Sequence, residues 1–230
     1  MAWALIAVAS AAVLLAAWIF MPSVSSSNDR AEARLWTAAR RRPLTVLWFA
    51  TALAIGGHFA AFTYVAPFVT DGLMLSPSTL PILLFVFGAA GLAGNGLVGL
   101  ISASKQSHAI PVATTGFALT GAFALTLTSF DAATIAVFAL WGLSISAATT
   151  LFQSHAIALA GPAGDRASSI HVLVFNIGIG AGGYFGGLAL DRVGPTAPMF
   201  ALFVSASIAT LTLCLDAALS PRASELKGHG

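Results

Sequence analysis

Long apolar runs that contain almost no charge recur along the whole chain and constrain what it can fold into. A helix rises about 1.5 Å per residue, so a run of about twenty residues crosses a hydrocarbon layer roughly 30 Å thick. The chain is 58% hydrophobic and only 8% charged, whereas soluble domains carry about 25% charged residues. Too few charges are available to cover a water-facing surface. The sequence therefore predicts an all-α protein embedded in a lipid bilayer.

Seven apolar segments are separated by polar connections, which predicts about seven transmembrane helices. The segments cover residues 2–21, 43–69, 79–101, 109–127, 132–154, 168–190 and 196–215. Grouping them by the connections between them predicts four regions. These regions are a leading helix at 1–22, a basic linker at 23–42, a six-helix bundle at 43–218 and a tail at 219–230.

The positions of the basic residues predict how the chain is oriented. Alternate connections face the same side of a membrane, and nine of the ten Lys and Arg residues then fall on one side, with only Arg192 on the other. Lys and Arg accumulate in cytoplasmic connections, so the linker and the tail are expected inside the cell and the N-terminus outside. The first segment has no basic residue before its apolar run, which favours a retained helix over a cleaved signal peptide. The net charge of +2 gives no indication of a nucleic-acid partner.

Glycines recur at helical spacing in two of the segments. Membrane helices associate through close backbone approach, because apolar side chains gain little by leaving lipid for another helix. The stripes therefore predict helix packing at Gly88, Gly91, Gly178, Gly182 and Gly186. Packing is the favoured interpretation, and the spacing does not separate it from a second one, in which these glycines let one helix slide over another.

Polar and aromatic side chains at membrane depth are the candidates for a binding site. Polar groups in hydrocarbon usually face the bundle interior or a water-filled cavity. The candidates are His58, Phe62, Asn95, Trp141 and Asn176. Each has a structural alternative, since a lone Asn also bonds neighbouring helices and a Trp also fills volume. As a proton or ligand site, His58 would need a partner that the sequence does not identify.

The motifs of the common enzyme classes are absent from the sequence. It holds no HExxH, no GxSxG, no P-loop Gly-Lys pair and no cluster of Cys and His, and Cys214 is its single cysteine. These are the residue sets that supply nucleophiles, phosphate binding and metal coordination. The sequence therefore predicts no enzyme activity, no cofactor and no metal site.

Several short motifs follow one another from Pro43 onward. They are FTYVAP at 62–67, GAAGLAGN at 88–95, WG at 141–142, RASS at 166–169, FNIG at 175–178 and a glycine-rich run at 182–194. In this order they resemble the C-terminal half of a major facilitator superfamily transporter. The resemblance is greatest to the drug–proton antiporter branch, which includes sugar-efflux and chloramphenicol-export proteins. The basic loop that this branch has at the position between the third and fourth apolar segments is reduced here to residues 102–105.

The resemblance implies a fold and a function. It implies a six-helix half-bundle built as a 3+3 inverted repeat, with substrate bound near mid-membrane between two halves. His58, Phe62, Asn95, Trp141 and Asn176 would then line the cavity. The first helix and the linker are similar to the last helix of an N-terminal half and the connection that follows it. The implied activity is proton-coupled efflux of a small amphipathic drug or sugar across a bacterial inner membrane, with a missing N-terminal half as partner.

Two other functions remain compatible with the sequence. One is a non-transporting membrane scaffold or an inactive, truncated gene product, which would keep the bundle without the activity. The other is a seven-helix receptor with its N-terminus outside. The short connections on the outer side disfavour the receptor, since they leave little chain for binding a ligand.

Overall fold

The computed structural model describes residues 42–102, 105–127 and 132–219, and in these ranges the chain forms six long helices. They are α1 (Arg42–Phe62), α2 (Leu80–Gly99), α3 (Gln106–Ala124), α4 (Ala132–Ala160), α5 (Gly164–Val193) and α6 (Ala197–Leu219). The prediction of an all-α membrane protein is confirmed. The expected leading helix at 1–22, all but the last residue of the expected linker, and the tail from 220 onward lie outside the described residues.

Most of these helices are long and apolar enough to cross a bilayer. Four stretches of the described chain qualify: Arg42–Phe62, Pro77–Gly99, Ala132–Val193 and Ala197–Leu219. The third stretch contains both α4 and α5. α3 is not among them, because it begins with a polar turn and carries three threonines. It nevertheless packs against both α4 and α6, and the hydroxyl of its Thr120 donates to the carbonyl of Gly116 in the same helix.

α4 and α5 are longer than the apolar segments that predict them. With 29 and 30 residues, each is about 45 Å long, whereas the hydrocarbon core is roughly 30 Å thick. The additional turns lie on both sides of the short connection Gly161–Ala163. The predicted apolar segment of α4 ends just before the polar residue His155, but the helix continues through it, because a helix does not need apolar side chains to continue.

α1 ends earlier than its apolar segment does. Pro67 has no N–H to donate to the carbonyl four residues before it. The helix breaks at Tyr64 and continues as one turn, Val65–Pro67, and a π-helical turn, Phe68–Gly72. The Tyr64 hydroxyl donates to the carbonyl oxygen of Gly183 at 2.8 Å, which fixes the break against α5. The sequence predicted one uninterrupted segment here.

Hydrogen bonds and an ion pair at one end of the bundle show that successive helices alternate in direction. The Arg42 guanidinium at the start of α1 contacts the Asp216 carboxylate near the end of α6 at 3.0 Å. The Ser154 hydroxyl in the last part of α4 donates to Gln106 at the start of α3 at 3.0 Å. This end also holds Arg166, close to the start of α5. We call it the basic end.

The helices pack mainly across the two halves of the sequence. α1 packs against α5 and α6, and α4 packs against α2 and α3. α3 also contacts α6, and α1 contacts α4. Exchanging α1 with α4, α2 with α5 and α3 with α6 gives the same set of contacting pairs. Because α1 and α4 run in opposite directions, the exchange inverts the repeat, as in the 3+3 arrangement that the family resemblance implies.

The backbones approach closely where α5 crosses α1. A Cβ atom added to Gly182 would collide with the carbonyl oxygen of Gly56, and one added to Gly186 would lie 2.6 Å from the carbonyl oxygen of Ala60. One added to Gly178 would lie 3.2 Å from the nearest backbone oxygen of α1. Only glycine lets the two helices lie this close, because it has no Cβ.

The equivalent contact in the other repeat is between α2 and α4. A Cβ at Gly91 would lie 2.8 Å from the Ser146 hydroxyl, and one at Gly94 would lie 2.5 Å from the carbonyl oxygen of Leu143. Gly88 differs from them, because it is exposed and a Cβ there would meet nothing within 4 Å. The helix packing predicted for Gly88 is therefore not found among the described residues.

We expect Gly186→Ala to weaken the bundle, because the added methyl group meets the backbone of α1, which cannot move independently. Overpacking of this kind costs about 1–3 kcal/mol and should lower the apparent Tm in detergent by roughly 5 °C. Gly180→Ala is the matched control, since a Cβ at this glycine of the same helix meets nothing within 4 Å. Equal Tm values for the two variants would contradict the close contact between α1 and α5.

Candidate functional site

A buried histidine and a buried tryptophan bond to each other where α1 meets α4. The indole Nε1–H of Trp141 donates to Nδ1 of His58 at 3.0 Å. The two residues are only 1% and 3% exposed. Because Nδ1 accepts this bond, a neutral His58 carries its proton on Nε2. Trp141 is therefore the partner for His58 that the sequence did not identify.

Four phenylalanine rings surround this pair. The ring centroids of Phe59, Phe62, Phe87 and Phe117 lie 4.8, 5.3, 6.3 and 5.9 Å from the His58 centroid. Phe87 belongs to α2 and Phe117 to α3, so the cluster joins four helices. Sequence analysis missed both of these residues. An aromatic residue near the middle of an apolar helix was the available signal, but it is too common to be informative alone.

The structure brings together three of the predicted cavity residues, His58, Phe62 and Trp141, but buries two of them. Phe62 and Phe87 are half-buried and lie between the His58–Trp141 pair and the bundle surface. A ligand on the surface of this bundle would therefore meet Phe62 first. His58 and Trp141 fix the position of the phenylalanine rings and would contact a ligand only if those rings moved.

The other two candidates, Asn95 and Asn176, lie on the surface of α2 and α5. Asn95 Oδ1 accepts a hydrogen bond from the Thr150 hydroxyl of α4 at 2.8 Å. Asn176 Nδ2 donates to the carbonyl of Val172 in its own helix at 2.8 Å, which leaves its Oδ1 available. Gln153 of α4, which is also exposed, donates to the Ser168 hydroxyl of α5 at 3.3 Å. We call the surface formed by Asn95, Thr150, Gln153 and Asn176 the polar surface.

The opposite side of the bundle, formed by α3 and α6, has a different character. Large apolar side chains are exposed along both helices: Val112, Leu119, Phe123, Phe200, Val204, Ile208 and Leu211. The exposed Thr115 hydroxyl on this side donates to the carbonyl of Pro111 in its own helix. Polar groups that face hydrocarbon are costly. Lipid therefore fits the α3–α6 side, whereas the polar surface requires protein or water against it.

The sequence model of the Major Facilitator Superfamily matches residues 1–183, which is well over half of the chain. The chain belongs to this superfamily of membrane transporters. Its apolar helices and this membership make it a multi-pass membrane protein.

Two relatives with curated names are bacterial proteins. The chain is 34% identical over 194 residues to a protein of Haemophilus influenzae named probable sugar efflux transporter, covering 83% of this chain and 48% of the relative. A Helicobacter pylori protein of the same name is 30% identical over 193 residues, covering 79% of this chain and 46% of the relative. The chain thus spans about half the length of the curated relatives that it matches.

We expect His58→Phe to destabilise the bundle although a ring is retained, because the buried Trp141 Nε1–H loses its acceptor. An unpaired buried donor costs about 1–3 kcal/mol. A double-mutant cycle with Trp141→Phe, measured by unfolding in mixed micelles, should give a coupling free energy of about 1 kcal/mol.

His108→Phe serves as the control for this cycle. His108 is exposed at the start of α3, and its Nδ1 atom lies 3.4 Å from the Ser107 hydroxyl. We expect its replacement to change stability by less than about 0.5 kcal/mol. Additive effects of the His58 and Trp141 substitutions would show that their hydrogen bond does not stabilise the fold.

Proposed function

We propose that this chain forms one half of an efflux transporter, and that it exports a small sugar or amphipathic drug once a second half-bundle covers its polar surface. The polar surface is the observation that carries this proposal. It contains three exposed amide side chains, those of Asn95, Gln153 and Asn176. The names of the relatives support efflux as the activity and sugar as one substrate class.

The route for the substrate follows from the two sides of the bundle. If α3 and α6 face lipid, the second half lies against α2, α4 and α5. The substrate then passes between the halves, next to Phe62, Asn95 and Asn176. In this arrangement His58 and Trp141 support the wall of the cavity from behind.

The basic end supports a cytoplasmic location for that side of the bundle. Arg42, Lys105 and Arg166 lie at the starts of α1, α3 and α5, which all begin at this end. Because Lys and Arg accumulate on the cytoplasmic side, we propose a bacterial inner-membrane protein with its C-terminal tail at 219–230 inside. A leading helix at 1–22 and a cytoplasmic linker at 23–42 complete the proposed topology, with the bundle at 43–218 and the N-terminus outside.

We propose that efflux is coupled to protons and that the second half provides the acidic residue for coupling. The carboxylates of the described chain, Asp71, Asp165, Asp191 and Asp216, all lie in connections or in the end turns of helices. None of these four is placed at mid-membrane, where a proton-coupling carboxylate is expected. Collapse of the proton gradient by a protonophore should therefore abolish export by the two-part transporter.

The test is export from cells that lack their own sugar and drug exporters. The chain is expressed alone or together with a separately supplied N-terminal half-bundle of a sugar efflux relative, and retention of a non-metabolised thiogalactoside and of a cationic dye is measured. We expect export only when both parts are present. Export by the chain alone would contradict the proposed half-bundle, and no export of any tested compound by both parts would favour the scaffold alternative.

The polar surface can be tested within the two-part transporter. We expect Asn176→Leu and Gln153→Leu each to lower the export rate about five- to thirtyfold, since each removes one or two hydrogen bonds of about 1 kcal/mol. Thr115→Leu is the control, because this exposed hydroxyl lies on the α3 side and bonds within its own helix. An equal loss in all three variants at equal expression would mean that the polar surface plays no special part.

A further inference from the structure

A groove of about 350 Å³ runs along the bundle where α5 and α6 both pack against α1. We call it the α5–α6 groove. Its rims carry Phe49 of α1 together with Ile177 and Phe185 of α5, and each of these side chains is more than half exposed. Because α6 supplies one wall, the groove borders the α3–α6 side, which fits lipid. Apolar groups of the surrounding bilayer can therefore reach it from the side.

Small residues on all three helices produce this groove. A Cβ at Gly57 of α1 would collide with the Ser205 hydroxyl of α6, just as one at Gly182 of α5 would collide with the backbone of α1. Both outer helices therefore approach α1 closely. Ala181 and Ala201 line the walls, and each carries only a methyl group, so the space between α5 and α6 is not filled by these side chains.

The walls of the groove offer almost nothing to a polar ligand. Ser205 is the one described lining residue with a polar side chain, and its hydroxyl donates to the carbonyl of Ala201 in its own helix at 2.8 Å. A polar or charged group that entered the groove would lose its hydrogen bonds to water without replacement. The α5–α6 groove therefore fits a ligand, or a part of one, that is entirely apolar.

The depth and the length of the groove match the hydrocarbon of a bilayer. Its α1 residues run from Phe49 to Ala60, so it begins about 10 Å from the start of the helix and covers about 16 Å of it. That length is about half of a hydrocarbon layer roughly 30 Å thick, which is the thickness of one leaflet. An acyl chain is the apolar group of this length that a bilayer supplies.

The width of the groove favours an acyl chain over a helix of another protein segment. A volume of 350 Å³ spread over about 16 Å gives a mean cross-section of about 20 Å². An extended hydrocarbon chain is about this thick. A helix with its side chains is about 10 Å wide or more, which corresponds to a cross-section of about 80 Å². A helix of a second half-bundle would therefore cover the groove without entering it.

We propose that the α5–α6 groove binds one acyl chain of a bilayer phospholipid, which packs against α1 between α5 and α6. Shape and apolar contact provide the recognition, so the site distinguishes chain lengths and does not distinguish head groups. The bound chain fills the space that the small residues leave and joins α5 to α6. This site is independent of the proposed function, since it requires only that the protein spans a bilayer.

The test is immobilisation of a spin-labelled lipid by the full chain. The protein is delipidated in glyco-diosgenin, a detergent whose rigid steroid body has no flexible alkyl chain. A phosphatidylcholine with a nitroxide at the middle of one acyl chain is then added. We expect a motionally restricted component in the electron spin resonance spectrum that saturates at one lipid per protein. Absence of this component would overturn the proposal.

Substitutions that fill the groove test its role directly. The ring of Ala181→Phe takes the place of the acyl chain, so we expect the restricted component to fall roughly fivefold or more, because each methylene that loses its apolar contacts weakens binding. Ala201→Leu fills the same space from α6 and should have the same effect, which keeps the test decisive if one variant does not fold. The Tm of each variant in the absence of lipid reports whether it is folded.

Ala93→Phe is the matched control for these variants. It makes the same change as Ala181→Phe at an exposed residue of α2 that does not line the groove. We expect it to keep the full restricted component. Equal components in folded Ala181→Phe and in Ala93→Phe would contradict binding in the groove.

Competing molecules identify the part of the lipid that is bound. A palmitoyl lysolipid should displace the label equally well with a phosphocholine or a phosphoglycerol head group. Glycerophosphocholine, which has no chain, should not displace it, and an octanoyl lysolipid should bind roughly tenfold more weakly than the palmitoyl one, because fewer methylenes are buried. Displacement by glycerophosphocholine, or a strong dependence on the head group, would overturn the proposal.

Two other occupants would give different results in the same measurement. Displacement of the label by an added N-terminal half-bundle of a sugar efflux relative would assign the groove to the interface between the halves and refute the acyl chain. Displacement by an exported alkyl compound at lower concentration than by the lysolipid would assign it to the substrate and refute the proposal as well. Lipid binding is measured without export, so failure of the proposed function and failure of this site are distinguishable.

Discussion

Contact between the backbones of neighbouring helices is the interaction on which this bundle depends. In lipid, a leucine gains little by moving from an acyl chain to another helix, so helices must fit closely to associate. The glycines of α5 against α1, and those of α2 against α4, provide that fit. These contacts join the second helix of each repeat, α2 or α5, to the first helix of the other repeat, α4 or α1. The helices α1 and α4 therefore lie at the centre of the bundle. The positions of His58 and Trp141 follow from this arrangement.

The polar side chains of the described helices fall into two groups, which differ in whether their hydrogen bonds are satisfied. In the interior, His58 and Trp141 satisfy each other within a shell of phenylalanine rings, and the hydroxyls of α3 bond to their own helix. Toward the basic end, Asn95, Gln153 and Asn176 are exposed. The first arrangement stabilises a fold, whereas the second leaves capacity for binding something else. The chain belongs to a superfamily of transporters, and in the proposed function this capacity serves to bind the transported molecule.

Some of these features could be predicted from the sequence and others could not. The apolar runs predicted six of the described helices to within a few residues at most ends, because hydropathy over twenty residues is a strong average. The break at Tyr64 was missed, although Pro67 was the signal for it. The bond between His58 and Trp141 was missed as well, since the two residues are far apart in the chain and belong to different repeats. Gly88 was grouped with Gly91 from spacing alone, and only the position of α4 separates them, since it reaches Gly91 and not Gly88.

The sequence by itself determined the solvent of this protein, the number of described helices and the family to which it belongs. These properties follow from composition, from the length of apolar runs and from short motifs, all of which are local. The tertiary structure alone decided which polar side chains are satisfied and which remain available. That distinction depends on what lies across a helix contact, and residues far apart in sequence supply those neighbours.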